Sequence, residues 1–143
     1  MGLNNHALYQ VATKALIFNG DKVLVLHTPD NYIDFPGGRV DESERDIPWS
    51  EALKREISEE VGDNFQVDIG QTLFVSKRYF QKAGKDTHIA AIFFECKFVG
   101  GDVTLSDEHG NHSWMTMEEL LGTDQPFLSE DEKRHLQALY GTS

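Results

Sequence analysis

Residues 37–62 read GGRVDESERDIPWSEALKREISEEVG, and this stretch decides the fold. Its second half has the period of a helix. Leu53, Ile57 and Val61 recur every fourth residue, Pro48 suits a first turn, and Gly62 is a natural residue just past a helix C-terminus. Each helical residue turns by about 100°, so Glu56, Glu59 and Glu60 fall within an arc of about 100° on one side. The apolar stripe occupies the adjoining arc, which predicts an acidic face held at the edge of a packed core. Like charges at this spacing cost roughly a few tenths of a kcal/mol per pair. Glu59 and Glu60 also lie toward the C-terminal end, where negative charge opposes the helix dipole. Hard divalent cations such as Mg²⁺ take oxygen ligands and would relieve that repulsion. Arg55 is placed to pair with one of the carboxylates and orient it. Taken alone, the three acids also fit a solvated helix face.

Outward from this helix the pattern is that of a sheet. Residues 11–18 read as a strand, Asn19-Gly20-Asp21 as a turn, and residues 22–27 as the hairpin partner. Phe35-Pro36-Gly37-Gly38 reads as a short extended piece broken by paired glycines, which permit close backbone approach. Past the helix, two β-rich runs are expected at about 65–81 and 88–99, with a polar connection around 82–86. Thr116-Met117-Glu118-Glu119 and Ser129-Glu130-Asp131-Glu132 both have the form of a capping box opening a helix. Strands flanking a central helix, with helices closing the chain, predict an α/β fold in which a mixed β-sheet lies between helices.

The whole-chain figures agree. A chain of 143 residues is one domain's worth, here residues 1–143 with an ordered core of about 8–140. Apolar residues at 39% and charged residues at 26% describe a globular chain. Thirteen Lys and Arg against 24 Asp and Glu give a net charge of −11, which argues against a stable nucleic-acid complex. An anionic substrate would therefore need a metal ion or a local basic patch. No apolar run approaches a membrane span, and the N-terminus has no signal pattern. The single cysteine, Cys96, fits a reducing, cytoplasmic setting.

The stretch at 37–62 resembles the box of the Nudix hydrolases. That signature runs Gly, five residues, Glu, seven residues, Arg-Glu, an aliphatic, any, Glu-Glu, any, Gly, aliphatic. Gly38, Glu44, Arg55, Glu56, Ile57, Glu59, Glu60 and Gly62 match its fixed positions in order. The departures are ten residues between Glu44 and Arg55, Ser43 in place of a common glycine, and Asp63 in place of the last aliphatic. The extra residues, around Asp46-Ile47-Pro48-Trp49, fall before the helix and leave it intact. Phe35-Pro36-Gly37-Gly38 resembles the family's entry to the box. Trp114 followed by Glu118-Glu119-Leu120 is similar to the tryptophan strand and helix near many family C-termini.

The resemblance implies a hydrolase that cleaves a diphosphate linkage in a nucleoside diphosphate derivative, with Mg²⁺ or Mn²⁺ as cofactor. It implies that Glu56, Glu59 and Glu60 hold metal with a backbone carbonyl of the Gly37-Gly38 pair, Gly38 being the family position. Arg55 would orient, and Glu44 would be an outer-sphere or structural acid. Asp107-Glu108-His109 stands five to seven residues before Trp114 and resembles the loop that carries the general base in some members. Glu108 is therefore the candidate base or a further metal ligand. His109 and His112 are weaker candidates for phosphate or base. Arg39, Arg78 and the lysines at 77, 82 and 85 could meet phosphates, and Tyr32, Phe35, Tyr79 and Phe80 could stack on a base. Of these, Arg39, Arg78 and Tyr79 are the expected substrate-binding residues. The expected partner is a small-molecule nucleotide, with no membrane, and a homodimer is left open because family members are often dimers. A nucleotide-binding or regulatory module of the same fold, without hydrolysis, is the alternative. The complete set of Arg55, Glu56, Glu59 and Glu60 argues against it.

Overall fold

The computed structural model describes residues 5–105 and 110–141. Strand β1 (Gln10–Asn19) and strand β2 (Lys22–His27) form the expected hairpin, but they pair only at Phe18↔Val23 and Asn19↔Lys22. Gly20 carries the positive φ, 64°, that the two-residue turn needs. Beyond those two pairs the strands part. Strand β3 (Ile33–Asp34) pairs with the end of β2 away from the turn, and strand β4 (Gly37–Arg39) pairs with the first half of β1 through Ala12↔Arg39, Thr13↔Gly38 and Lys14↔Gly37. The Ala15 N–H donates to the Pro36 carbonyl at 2.8 Å. The glycine turn is thus wedged into a split in the sheet.

On its other side β1 runs parallel to β6 (Lys85–Gly100), which pairs antiparallel with β5 (Gln66–Lys82). Strand β7 (Asn111–Thr116) pairs antiparallel with β2. Helix α1 (Trp49–Val61) covers one face, and α2 (Met117–Gly122) with α3 (Glu130–Tyr140) covers the other. The expected mixed sheet between helices is borne out. Alternate residues of β1 feed the two cores. Ala12 and Leu16 pack with Val23, Phe93, Leu120 and Leu136, whereas Ala15 and Ile17 pack with Leu24, Leu53, Ile57 and Val61. Both faces being buried, β1 reads as an apolar run rather than an alternating one. Lys14 stands in the middle of that run, buried.

Several boundaries differ from expectation. Pro48 is the residue before α1, not a first-turn residue. The extra residues before α1 form a turn after a single 3₁₀ turn at Glu42–Glu44. The β5–β6 hairpin is longer than its pattern suggests, because Lys82 pairs with Lys85 across a two-residue turn of Ala83 and Gly84. Both turn residues have positive φ, 53° and 75°. That turn type normally takes Asn or Gly at its first place, so Ala83 conceals it. The Thr116 capping box is present: the Thr116 hydroxyl accepts from the Glu119 N–H at 3.1 Å, and Glu119 accepts from the Thr116 N–H at 2.9 Å. The second box is not formed. Ser129 precedes α3, but its hydroxyl donates to the Lys77 carbonyl at 2.8 Å, and Glu132 turns into the core to meet Arg78. Tertiary partners win over local ones.

Ala83 is an exposed non-glycine held left-handed at the tip of the β5–β6 hairpin. Ala83→Gly should raise the unfolding free energy by up to about 1 kcal/mol, the strain relieved less the added chain entropy. Urea unfolding of the two proteins checks this, and an Ala83→Val variant should move the other way.

Candidate active site

The site forms where α1 meets the wedged glycine turn. Arg55 is its hub. Its Nε and Nη2 donate to the two oxygens of Glu44 at 2.6 and 2.8 Å. Nη2 also reaches Glu56 at 2.8 Å, and Nη1 reaches Glu59 at 2.9 Å. The extra residues before α1 therefore do not carry Glu44 away from the helix acids. Glu44 receives the Asp41 N–H as well, at 3.0 Å, so the 3₁₀ turn is tied to Arg55 through one carboxylate. Glu60 points to the sheet instead, and its Oε1 accepts the Gly37 N–H at 2.6 Å. At Gly38 a Cβ would lie 2.7 Å from the Glu56 carboxyl carbon. A side chain at residue 38 would force that carboxylate to move.

The other expected site residues separate into groups. Arg39 is exposed on β4, takes Gln10 at 2.8 Å, and lays its guanidinium 5.6 Å from the Phe80 ring centre. Tyr79 is exposed, bonded to Asp86 at 2.7 Å and close to the His88 ring. Arg78 does not stand free for phosphate. Its guanidinium is clamped by Glu132 at 2.5 and 2.8 Å and by Asp34 at 2.9 Å. Phe35 is fully buried against Phe93 and Phe127, so it is core and not a stacking platform. Trp114 packs with Phe65 and Phe98. His112 lies in β7, partly buried. Glu108, Asp107 and His109 lie outside the described residues.

The structure also brings in residues that the sequence barely marks. The Lys14 ammonium, under the glycine turn, donates to the carbonyls of Phe35 at 3.0 Å and Gly37 at 3.4 Å, and pairs with Asp34 at 3.2 Å. The only signal for Lys14 is a charge in the middle of an apolar run. At the end of β2, His27 bridges Ser113 at 2.7 Å and Gln125 at 2.9 Å.

The sequence profile described as the NUDIX domain matches residues 8–139. The chain belongs to the Nudix family. Its fold is similar to that of the MutT protein from Methanosarcina mazei Go1, with 26% identity, 91% of each chain covered and a TM-score of 0.72. It is similar in fold, at 18% identity, to an ADP-ribose pyrophosphatase from Streptococcus suis, covering 95% of this chain and 96% of that one at a TM-score of 0.64. A possible asymmetric diadenosine tetraphosphate hydrolase from Jonesia denitrificans is 20% identical, with 96% and 99% covered and a TM-score of 0.71. No curated protein matches the chain significantly.

Within this Nudix site the carboxylates differ in how readily they take up a proton. Hydrogen bonds from Arg55, then the Asp41 N–H, hold Glu44 down at about 2. Burial pushes Glu56 above the usual carboxylate range against the pull of Arg55. Burial pushes Glu60 further, to about 7, although Lys14 and the Gly37 N–H favour its charged form. Burial would also raise Asp34, but Lys14 and Arg78 override it and hold Asp34 well below its ordinary value. The donors suit a hard divalent cation in kind: carboxylates on one helix side, facing a glycine backbone at residue 38 where a Cβ would collide with the Glu56 carboxylate. Among the described residues no three His, Cys, Asp or Glu side chains converge as a ready-made cage. Arg55 holds Glu44, Glu56 and Glu59, and Gly37 holds Glu60.

Glu60 titrates higher in the folded chain than in the unfolded one. Its contribution is therefore fully present below about pH 4.5 and is lost as the pH rises through about 7. In chelator-treated protein this group should remove on the order of 3 kcal/mol between those limits. Unfolding free energies measured across that range should fall less steeply for Glu60→Gln than for the wild type.

Proposed function

We propose that this Nudix protein is a Mg²⁺-dependent hydrolase that cleaves a diphosphate linkage in a nucleoside diphosphate derivative. One observation carries the reading: a single guanidinium, Arg55, gathers Glu44, Glu56 and Glu59 while Glu60 is bonded to the glycine turn. Glu56, Glu59, Glu60 and the Gly38 carbonyl would hold the cation, with Mn²⁺ able to replace Mg²⁺. When bound, such a cation neutralises diphosphate oxygens and acidifies a water molecule.

The remaining roles belong to the chain. Glu44 grips one edge of the Arg55 guanidinium with both its oxygens, which restrains the guanidinium from rotating away from the helix acids. Arg55 in turn sets the direction of Glu56 and Glu59. Glu59 is largely exposed and is free to change rotamer without disturbing the core, whereas Glu60 is fixed. Arg39, directly after the glycines on β4, supplies a cation for a phosphate beyond the metal. Its neighbour Phe80, with Tyr79, offers exposed ring surface to a base. Glu108 is the candidate base that takes the proton of the attacking water, or else a further metal ligand.

The substrate is a small-molecule nucleotide. ADP-ribose and diadenosine tetraphosphate, named for two proteins of similar fold, both carry an adenosine joined through phosphates to another group. Neither is singled out by a likeness of fold. The buried, unpaired Cys96 accords with a cytoplasmic setting. Among the described residues, no helix is long and apolar enough to cross a membrane.

The test is a Mg²⁺-dependent hydrolysis screen over dNTPs, nucleotide sugars, ADP-ribose, dinucleoside polyphosphates and NADH, with products identified by mass. Binding without turnover of any of these would favour the regulatory alternative. On the substrate found, Glu108→Gln should lower kcat by about 10²–10⁴-fold, the worth of a positioned base. KM should change little, because the amide is nearly isosteric. Glu60→Gln should weaken Mn²⁺ binding and rate together, and saturating Mg²⁺ should rescue it in part. Near-normal kcat for Glu108→Gln would remove Glu108 as base, and full rescue of that variant by Mg²⁺ would make it a ligand.

A further inference from the structure

Four ionic side chains form a continuous buried chain from the glycine turn to α3. Lys14 donates to the Phe35 and Gly37 carbonyls and pairs with Asp34. The same Asp34 oxygen accepts Arg78 at 2.9 Å and the Phe35 N–H at 2.7 Å. Arg78 forks onto both oxygens of Glu132, which is wholly buried in α3 and also receives the Ser76 hydroxyl at 3.3 Å. Charges alternate along the chain, two positive and two negative, so it is neutral as a whole. Such buried networks are weak sources of stability, because well-packed apolar groups often do as well. What this one does have is a fixed end point. Gly37 holds a φ of 137° and has no side chain to anchor it, and its N–H is the one that grips Glu60. Its neighbours are paired to β1 at Pro36 and Gly38, and its own carbonyl accepts the Lys14 ammonium at 3.4 Å.

We propose that Lys14, Asp34, Arg78 and Glu132 are positioning residues that hold the turn at residues 35–37, and through it Glu60, in register with α3. The catalytic consequence rests on the hydrolase reading above; the structural part does not. Arg78 thus serves the site from behind, through other residues, and does not touch phosphate. Helix α3, which carries no residue of the site, becomes its distant support.

The test removes the far end, where the charge change is neutral and remote from the helix acids. Arg78→Met combined with Glu132→Met takes out both partners, leaving Asp34 to Lys14. The variant should fold with a Tm near that of the wild type. In metal-free protein the Gly37 amide proton, deshielded by its short bond to a carboxylate, should move upfield in the ¹H–¹⁵N spectrum. On the substrate found by the screen, kcat should fall about 10–100-fold, the usual worth of a group that orients a ligand, with KM little changed. Lys14→Met, which leaves Asp34 paired with Arg78, is the second variant and should give the same two signatures. A folded variant whose Gly37 resonance stays in place overturns the proposal. So does one whose resonance moves while kcat holds. If neither variant folds, the chain is a stability element and the proposal falls. If no substrate is hydrolysed even by the wild type, the functional reading fails, and the Gly37 resonance still decides whether the turn is held from α3.

Discussion

The hydrogen bond from the Gly37 amide to Glu60, 2.6 Å long, joins the sheet to the helix that carries the site. Everything around it is arranged so that the two groups can meet. The backbone at residue 37 must pass so close to β1 that a Cβ there would lie 2.0 Å from the Thr13 carbonyl oxygen. One residue on, it must pass so close to α1 that a Cβ would strike Glu56. Two glycines in succession meet both demands, and β1 and β2 part company to make room for them. The helix contributes its share through Leu53, Ile57 and Val61, whose burial fixes its rotation and so fixes where Glu60 points.

Charge follows from that geometry. A helix side carrying three carboxylates beside a low-dielectric core needs cations, and the chain supplies two from different directions. Arg55 works from the solvent side and binds three acids; Lys14 works from beneath the turn and binds carbonyls. The result is a graded set: Glu44 firmly ionised, Glu56 raised, and Glu60 close to neutrality in its titration. An incoming divalent cation would find acids with different holds on their protons and on their neighbours. Its affinity would reflect what each must give up, not the carboxylate count alone.

The helix and its acids were legible because both are local. A four-residue apolar spacing fixes the buried side, and acids at positions 56, 59 and 60 then share a side by geometry alone. The same holds for Thr116 and Glu119, whose capping bonds span three residues. Ser129 and Glu132 show where such reasoning ends. They have the same spacing, yet Ser129 finds the Lys77 carbonyl and Glu132 finds Arg78, partners more than 50 residues away in the chain. Lys14 and Asp34 are of the same kind: their use depends on a split in the sheet that no short window reveals. Arg78 was visible as a basic residue near other basic residues, but its two carboxylate partners come from β3 and α3. The Ala83 turn was hidden for a different reason, since the chain tolerates a strained alanine where glycine or asparagine would have announced the bend.

Strand β5 lies at the rim of the sheet, and its outward-facing backbone is met by the start of α3. The Lys77 N–H is taken by Asp131 at 2.9 Å and its carbonyl by Ser129. Bare strand rims recruit strands from other molecules. Val75 and Tyr79, both more than half exposed, sit on either side of this capped position. Ser129, which fails to make a local helix cap, thus serves with Asp131 as a shield against sheet extension. A chain shortened before α3 would present an unguarded, partly apolar rim to its own copies, and its fate would be governed by self-association as much as by loss of the fold's remaining core.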